Sequence, residues 1–280
     1  MKLAAVICAA VLGFAISALL GIKLVPWLHK LKFGQTILDI GPNWHKQKQG
    51  TPTMGGFMFI IGTTVAFFVV VLVAKALGYD LVGGDSLVAG AEKAKIYGGL
   101  LMALGFGLIG FADDYIKVRK EQNEGLTVIQ KTFLQLLLCA AYIATLILSG
   151  NVYMRIPFGG TWDYGNTFFF CIFTFIVMYA TVNAVNFTDG IDGLLTGVSI
   201  PIVMVLGVLA YLSGHIIYSD YLNIMYIPNS GELMVFGAAM LGALIGFLWY
   251  NSFPAQIFMG DTGSLAVGGI IAVMALCIRK

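Results

Sequence analysis

Charge is what this sequence has least of. Asp, Glu, Lys and Arg make up 11% of its 280 residues, against about 25% in a soluble globular chain. With a mean hydropathy of +0.90, a water-soluble globule is excluded. The formal net charge of +2 is too small for a nucleic-acid surface, so no nucleic acid is expected as a partner. Only three histidines occur, His29, His45 and His215, and none is spaced as a metal-ligand pair. The four cysteines, Cys8, Cys139, Cys171 and Cys277, lie inside apolar runs, without zinc spacing and without evidence of an oxidising compartment. A small-residue cleavage site is missing after the first apolar run, which therefore reads as a retained span and not a signal peptide.

Long apolar runs are what the sequence has in abundance. They fall near 3–25, 55–77, 96–113, 132–150, 167–185, 193–212, 233–250 and 262–278, each about long enough to cross a bilayer. The expectation is an all-α polytopic membrane protein, one domain over 1–280, with eight transmembrane helices. Between the fourth and fifth, Arg155-Ile-Pro-Phe-Gly-Gly-Thr-Trp-Asp has turn residues flanked by β-prone stretches and predicts a small hairpin outside the hydrocarbon.

Alternation of eight spans puts segments 26–54, 114–131, 186–192 and 251–261 on one side of the membrane. That side carries nine Lys/Arg and the other seven, a weak bias that places it in the cytoplasm and the hairpin in the periplasm. Five acids from three inter-helix regions fall on the cytoplasmic side: Asp113, Asp114, Asp189, Asp192 and Asp261. Acids beside hydrocarbon are costly and are kept for ion or substrate chemistry. Their clustering at a membrane surface suggests a divalent metal and a phosphate-bearing substrate.

The motifs carry that reading unequally. In GFADDYIKV, Lys117 follows Asp113 and Asp114 at four and three residues, so a continuing helix would give internal ion pairs. Two acids exceed what one lysine needs, which favours metal or phosphate chemistry over a helix-end salt bridge. Asn186, Asp189 and Asp192 stand at successive i, i+3 positions in NFTDGIDG, with glycines that let a ligand approach the backbone. Their oxygens suit a hard Mg²⁺, and a helix N-cap explains one of the three. Asp261 and Ser264 precede the last helix, whose N-terminus favours an anion. Gly50-Thr-Pro-Thr-Met-Gly-Gly56, after Lys46 and Lys48, suits a phosphate but lacks the lysine placement of a P-loop. Gly105-Phe-Gly107-Leu-Ile-Gly110 fits a dinucleotide fingerprint only formally, lying inside a span, and Gly242-Ala-Leu-Ile-Gly246 reads as a helix-packing face.

Taken in order, GPNWHKQKQGTPTMGG, GFADDYIKV, NAVNFTDGIDGLL and NSFPAQIFMGDTGSLAVGG resemble the polyprenyl-phosphate N-acetylhexosamine-1-phosphate transferase superfamily, of the glycosyltransferase family 4 type. TPTMGG and FMGDTGS favour its bacterial phospho-N-acetylmuramoyl-pentapeptide transferase branch. The resemblance runs from about Lys32 to Gly269. It implies a Mg²⁺-dependent enzyme of the bacterial inner membrane with a cytoplasmic active site. The reaction would take UDP-N-acetylmuramoyl-pentapeptide and undecaprenyl phosphate to lipid I and UMP in peptidoglycan synthesis.

By resemblance, Asp261 is the principal Mg²⁺ ligand and Asn186 a second. Asp113 and Asp114 match the pair proposed to activate the lipid phosphate, and Asp189 an essential acid near the diphosphate. Lys117, Asp192 and Phe258 match the uridine pocket, while Lys48, Thr53, Lys131 and Asn251 match polar positions lining the same cleft. Direct attack and a phospho-aspartate route both remain open. The family has ten spans, a histidine-rich loop before the last, and a homodimeric assembly, so this chain is expected to stop two helices short. A GlcNAc-1-phosphate transferase is the rival within enzymes. A transporter would place ionisable groups at mid-span, in repeated halves, and neither feature stands out here. Hydropathy excludes a soluble prenyl-diphosphate synthase.

Overall fold

The computed structural model describes residues 2–30, 50–79, 81–82, 89–120, 122, 124–150, 152, 154–156, 160–162, 167–228 and 230–278. Among these, eight helices are long and apolar enough to cross a membrane, which makes this a multi-pass membrane protein. They are α1 (Lys2–Lys30), α2 (Gly56–Ala76), α3 (Ala89–Arg119), α4 (Val128–Leu148), α5 (Thr167–Thr188), α6 (Leu194–Ser213), α8 (Leu233–Asn251) and α9 (Gly260–Ile278). A six-residue helix, α7 (Ile216–Tyr221), and a 3₁₀ turn (Ser230–Glu232) connect α6 to α8. Two three-residue strands, β1 (Met154–Ile156) and β2 (Gly160–Trp162), pair antiparallel with Met154 opposite Trp162, too little to alter an all-helical class.

Three of the helix ends that depart from the hydropathy reading matter to the site. α3 does not stop at Asp113 but runs to Arg119. An ion pair between Asp113 and Lys117, at i, i+4 on one face, lets the helix carry charge past the apolar run. α4 starts at Val128, four residues earlier than hydropathy suggests, because Thr127 and Gln130 form a capping box. The Gln130 N–H donates to Thr127 Oγ1 (3.2 Å) and the Thr127 N–H to Gln130 Oε1 (3.1 Å). That places Lys131 in the first turn of α4. α5 continues to Thr188, which keeps Asn186 on the helix.

α9 is the hub. Of its apolar window 89% is buried, and it packs against α3 and α5, with α2 and α6 completing the ring. Outside that ring α1 lies along α8, where small residues allow close approach. A Cβ on Gly242 would sit 1.9 Å from the Ala10 carbonyl oxygen, and one on Gly246 would sit 2.7 Å from that of Phe14. The Gly242–Gly246 pair is thus a helix-packing face. Gly110, last of the stray fingerprint glycines, also has a packing reason: a Cβ there would lie 2.0 Å from the Asp261 carbonyl oxygen, where α3 meets the start of α9.

Candidate active site

Asp261 is the first acid of α9 and everything else arranges itself around it. Its Oδ2 accepts from Lys117 Nζ at 3.0 Å and from Lys131 Nζ at 2.9 Å. Its Oδ1 accepts from Asn186 Nδ2 at 2.8 Å, and the same amide nitrogen donates to Ser264 Oγ at 2.7 Å. One carboxylate therefore draws together α3, α4, α5 and α9. No single sequence window contains these partners, since Lys117 and Lys131 are separated from Asp261 by 144 and 130 positions.

Asp113 and Asp114 are adjacent in sequence but have different surroundings. Asp113 pairs with Lys117, and its Oδ1 accepts the Leu126 N–H at 2.9 Å. Asp114 turns instead to the N-terminus of α9. Its Oδ1 accepts the Asp261 N–H (3.2 Å), and its Oδ2 accepts the Thr262 N–H (2.9 Å) and the Thr262 hydroxyl (2.7 Å). A carboxylate from α3 thus caps a different helix, where orphan N–H groups and the helix dipole favour an anion. Both side chains are buried.

Thr53 and Gly260 complete this corner. Gly260 has φ +74°, and a Cβ on it would lie 2.5 Å from Thr53 Oγ1 and 2.6 Å from Asp114 Oδ2. Only glycine fits both the backbone and the space. The Gly-rich segment before α2 is held here by main-chain bonds: the Gly55 N–H donates to Phe258 O (2.8 Å), Gly56 N–H to Met259 O (3.0 Å), and Phe258 N–H to Pro52 O (2.8 Å). The Gly55 and Gly56 N–H groups, which the sequence offered to a phosphate, are therefore already in use.

Asp189 lies just past α5, in the turn leading to α6. Burial, then the negative charges of Asp261 and Asp114, push its carboxyl up from the usual 3.8 to about 7, while a backbone hydrogen bond from Gly260 works in the opposite direction.

The other sequence candidates lie apart from this cluster. Asp192 Oδ2 accepts the Ala255 N–H at 3.2 Å, in the loop after α8. Asn251 is buried and ties elements together: Thr196 Oγ1 donates to its Oδ1 (2.8 Å) and its Nδ2 donates to Ile257 O (3.0 Å). Phe258 is half-buried beside the segment it pins. Lys48 and His45 lie outside the described residues. Sequence reasoning missed Thr262, Gln135 and Asn183. For the last two a signal existed, because an amide inside an apolar span is itself unusual.

A cleft of about 570 Å³ opens beside the cluster, walled by the ends of α3 and α9, the 124–127 loop, and facing sides of α4 and α5. Asp113, Lys117, Lys131, Asn186 and Asp261 line it, whereas Asp114 does not. Oxygens of Asp113, Asp114 and Asp261 come within 4.8 Å of one another. That all-oxygen set fits a hard divalent cation, and the two ammonium groups on Asp261 mark where positive charge is favoured. Asn186 donates through Nδ2 here; its Oδ1 is the atom such a cation would take.

The chain is similar to known proteins over most of its length. A sequence model of glycosyl transferase family 4 matches residues 96–279. The phospho-N-acetylmuramoyl-pentapeptide-transferase of Thermodesulfovibrio yellowstonii is 40% identical over 261 residues, covering 91% of this chain and 67% of that protein. The enzyme of the same name from Flavobacterium johnsoniae is 37% identical, covering 96% and 72%, and that of Clostridium perfringens 38% identical, covering 98% and 76%. The matched region begins within α3 and contains every cleft-lining acid and lysine. On these grounds the chain belongs to glycosyl transferase family 4, within the phospho-N-acetylmuramoyl-pentapeptide-transferase group.

Proposed function

We propose that this protein transfers phospho-N-acetylmuramoyl-pentapeptide from its UDP donor to undecaprenyl phosphate, giving lipid I and UMP. The observation that carries the reading is the cleft itself. Carboxylate, ammonium and amide groups from four spans converge at one end of the helix bundle, where a soluble nucleotide and a membrane-held phosphate can meet. That end faces the cytoplasm of a bacterial inner membrane, and the short strand pair between α4 and α5 faces the periplasm.

An oxygen of the acceptor phosphate attacks the sugar-bearing phosphorus of the donor. The bond from that phosphorus to the UMP oxygen breaks, and UMP leaves with the bonding pair. Lys131 and Lys117, both within reach of Asp261, hold phosphate oxygens in line and spread their charge. Asp113, with Oδ1 fixed by Leu126 and its other oxygen beside Lys117, faces the cleft and takes the acceptor's proton. Asp114 is a positioning residue that fixes the first turn of α9, and with it Asp261. Asp189, whose carboxyl is raised to about 7, can stand protonated beside the diphosphate and donate a hydrogen bond to it. A Mg²⁺ held by Asp261, with Asp113 and Asn186 beside it, would offset charge on the diphosphate and the departing UMP. Direct transfer fits better than a phospho-aspartate, since both oxygens of Asp114 are engaged and Asp113 is held on both sides.

The test is lipid I formation by purified protein with Mg²⁺, UDP-N-acetylmuramoyl-pentapeptide and undecaprenyl phosphate, alongside Asp261→Asn and a chelator. Product that both controls abolish supports the reading. Turnover with UDP-GlcNAc in place of the muramoyl donor would favour the GlcNAc-1-phosphate branch. Nucleotide binding without turnover in any of these mixtures would overturn the proposal.

A further inference from the structure

Gln135 has a polarity that its neighbours dictate. It lies on the cleft side of α4, one turn beyond Lys131, and faces Asn183 on α5. Asn183 Nδ2 donates to the Tyr179 main-chain oxygen (2.8 Å) and to Gln135 Oε1 (3.0 Å). A carbonyl can only accept, so Asn183 must present its nitrogen to Tyr179, and that nitrogen's second hydrogen is left for Gln135. Gln135 must then offer oxygen to Asn183 and turn its Nε2 the other way. That nitrogen is buried, in a residue only 1% exposed, and has no partner among the described residues. A buried donor pair without an acceptor is costly, and a site that keeps one has a ligand oxygen to meet it.

We infer that Gln135, oriented by Asn183, is a substrate-binding residue that donates to a phosphoryl oxygen of the membrane-held acceptor. The assignment rests on the function proposed above and adds which substrate the amide reads. Depth decides this. α4 enters the bundle from the acid end, so Gln135 sits about 6 Å further into the membrane than Lys131. A nucleotide donor arrives from water, whereas a polyprenyl phosphate brings its phosphate from the bilayer side. The cleft rim is suited to such a chain, because Val128 on α4 lines it and is a strongly exposed apolar side chain. Lys131 supplies charge to the same phosphate and Gln135 supplies direction.

Two variants test this in different ways. Gln135→Met removes the donors at similar length. Asn183→Asp leaves Gln135 in place but replaces its donor neighbour with an acceptor, which should turn the Gln135 amide round and aim oxygen at the phosphate. Both are measured in lipid nanodiscs for undecaprenyl phosphate binding, UDP-donor binding and steady-state turnover. The expected result is a KM for undecaprenyl phosphate raised about tenfold or more in each, as for one lost charge-assisted hydrogen bond. Donor KM should stay within about twofold. An increase confined to the donor KM, or unchanged acceptor binding in both variants, overturns the assignment to Gln135 and leaves the proposed function standing. Wild-type protein that binds no undecaprenyl phosphate overturns both.

Discussion

Replacing Asp114 by Asn separates scaffolding from chemistry at this site. Asn keeps the shape and one acceptor oxygen, which can still take the Asp261 N–H. Its amide nitrogen would then face the Thr262 N–H and hydroxyl, which now donate to Asp114 Oδ2 at 2.9 and 2.7 Å. Two hydrogen bonds to a charged acceptor are worth about 3–6 kcal/mol, of which the hydroxyl recovers part by turning to accept from the Asn nitrogen. Removing a buried charge that lies near the like-charged Asp261 returns part of this, leaving a net loss of about 2–4 kcal/mol. The assay is thermal unfolding of detergent-solubilised protein by intrinsic fluorescence, run with Thr262→Ala and the double variant. Asp114→Asn should melt several degrees lower, and the cycle should show that Asp114 and Thr262 are coupled. A variant that melts with the wild type yet has no turnover would refute the capping role and make Asp114 a participant in the reaction.

Gly260→Ala should be as damaging as a catalytic substitution, because its φ of +74° and the Thr53 and Asp114 oxygens leave no place for a Cβ; the backbone strain alone is about 1–3 kcal/mol, and Gly207→Ala, at a glycine with open space around it, is the control in the same unfolding and turnover assays. Asp189 predicts a pH dependence of stability in metal-free protein. Its carboxyl is raised from 3.8 to about 7, so the stability it contributes is complete below pH 3.8 and is lost as pH rises through about 7. In EDTA the wild type should therefore melt at a lower temperature at pH 8 than at pH 6, and Asp189→Asn should flatten that difference; a difference that persists in the variant would count against this assignment.

Hydropathy located all eight spans, since a run of apolar residues is a local property. It misjudged the ends of α3 and α4, where short-range polar bonds extend the helix beyond the apolar run. Asp113, Asp114, Lys117, Asn186 and Asp261 were legible as residues of interest because charge and amides are rare in such a sequence. Their division of labour was not. Nothing local distinguishes Asp113, which faces the cleft, from Asp114, which caps α9, because the difference lies in what packs opposite each. Asn251 and Phe258 were marked only by resemblance to the family, and their bonds hold the α8–α9 connection together. Gln135 could be noticed from its place inside an apolar span, but its orientation depends on Tyr179, 44 positions away.

The burial of α9 bears on the order in which the protein is made. The other seven described spans precede α9, and of these α2, α3, α5 and α6 pack around it. As the ribosome delivers them, those helices enter the bilayer with the position of their common neighbour still vacant. Lys117, Lys131 and Asn186 then lack the carboxylate that unites them until Asp261 arrives. Assembly of the reaction centre is thereby tied to insertion of the last of these helices. A nascent chain halted before α9 would hold seven spans and no working centre, so a stalled intermediate could not act on either substrate prematurely.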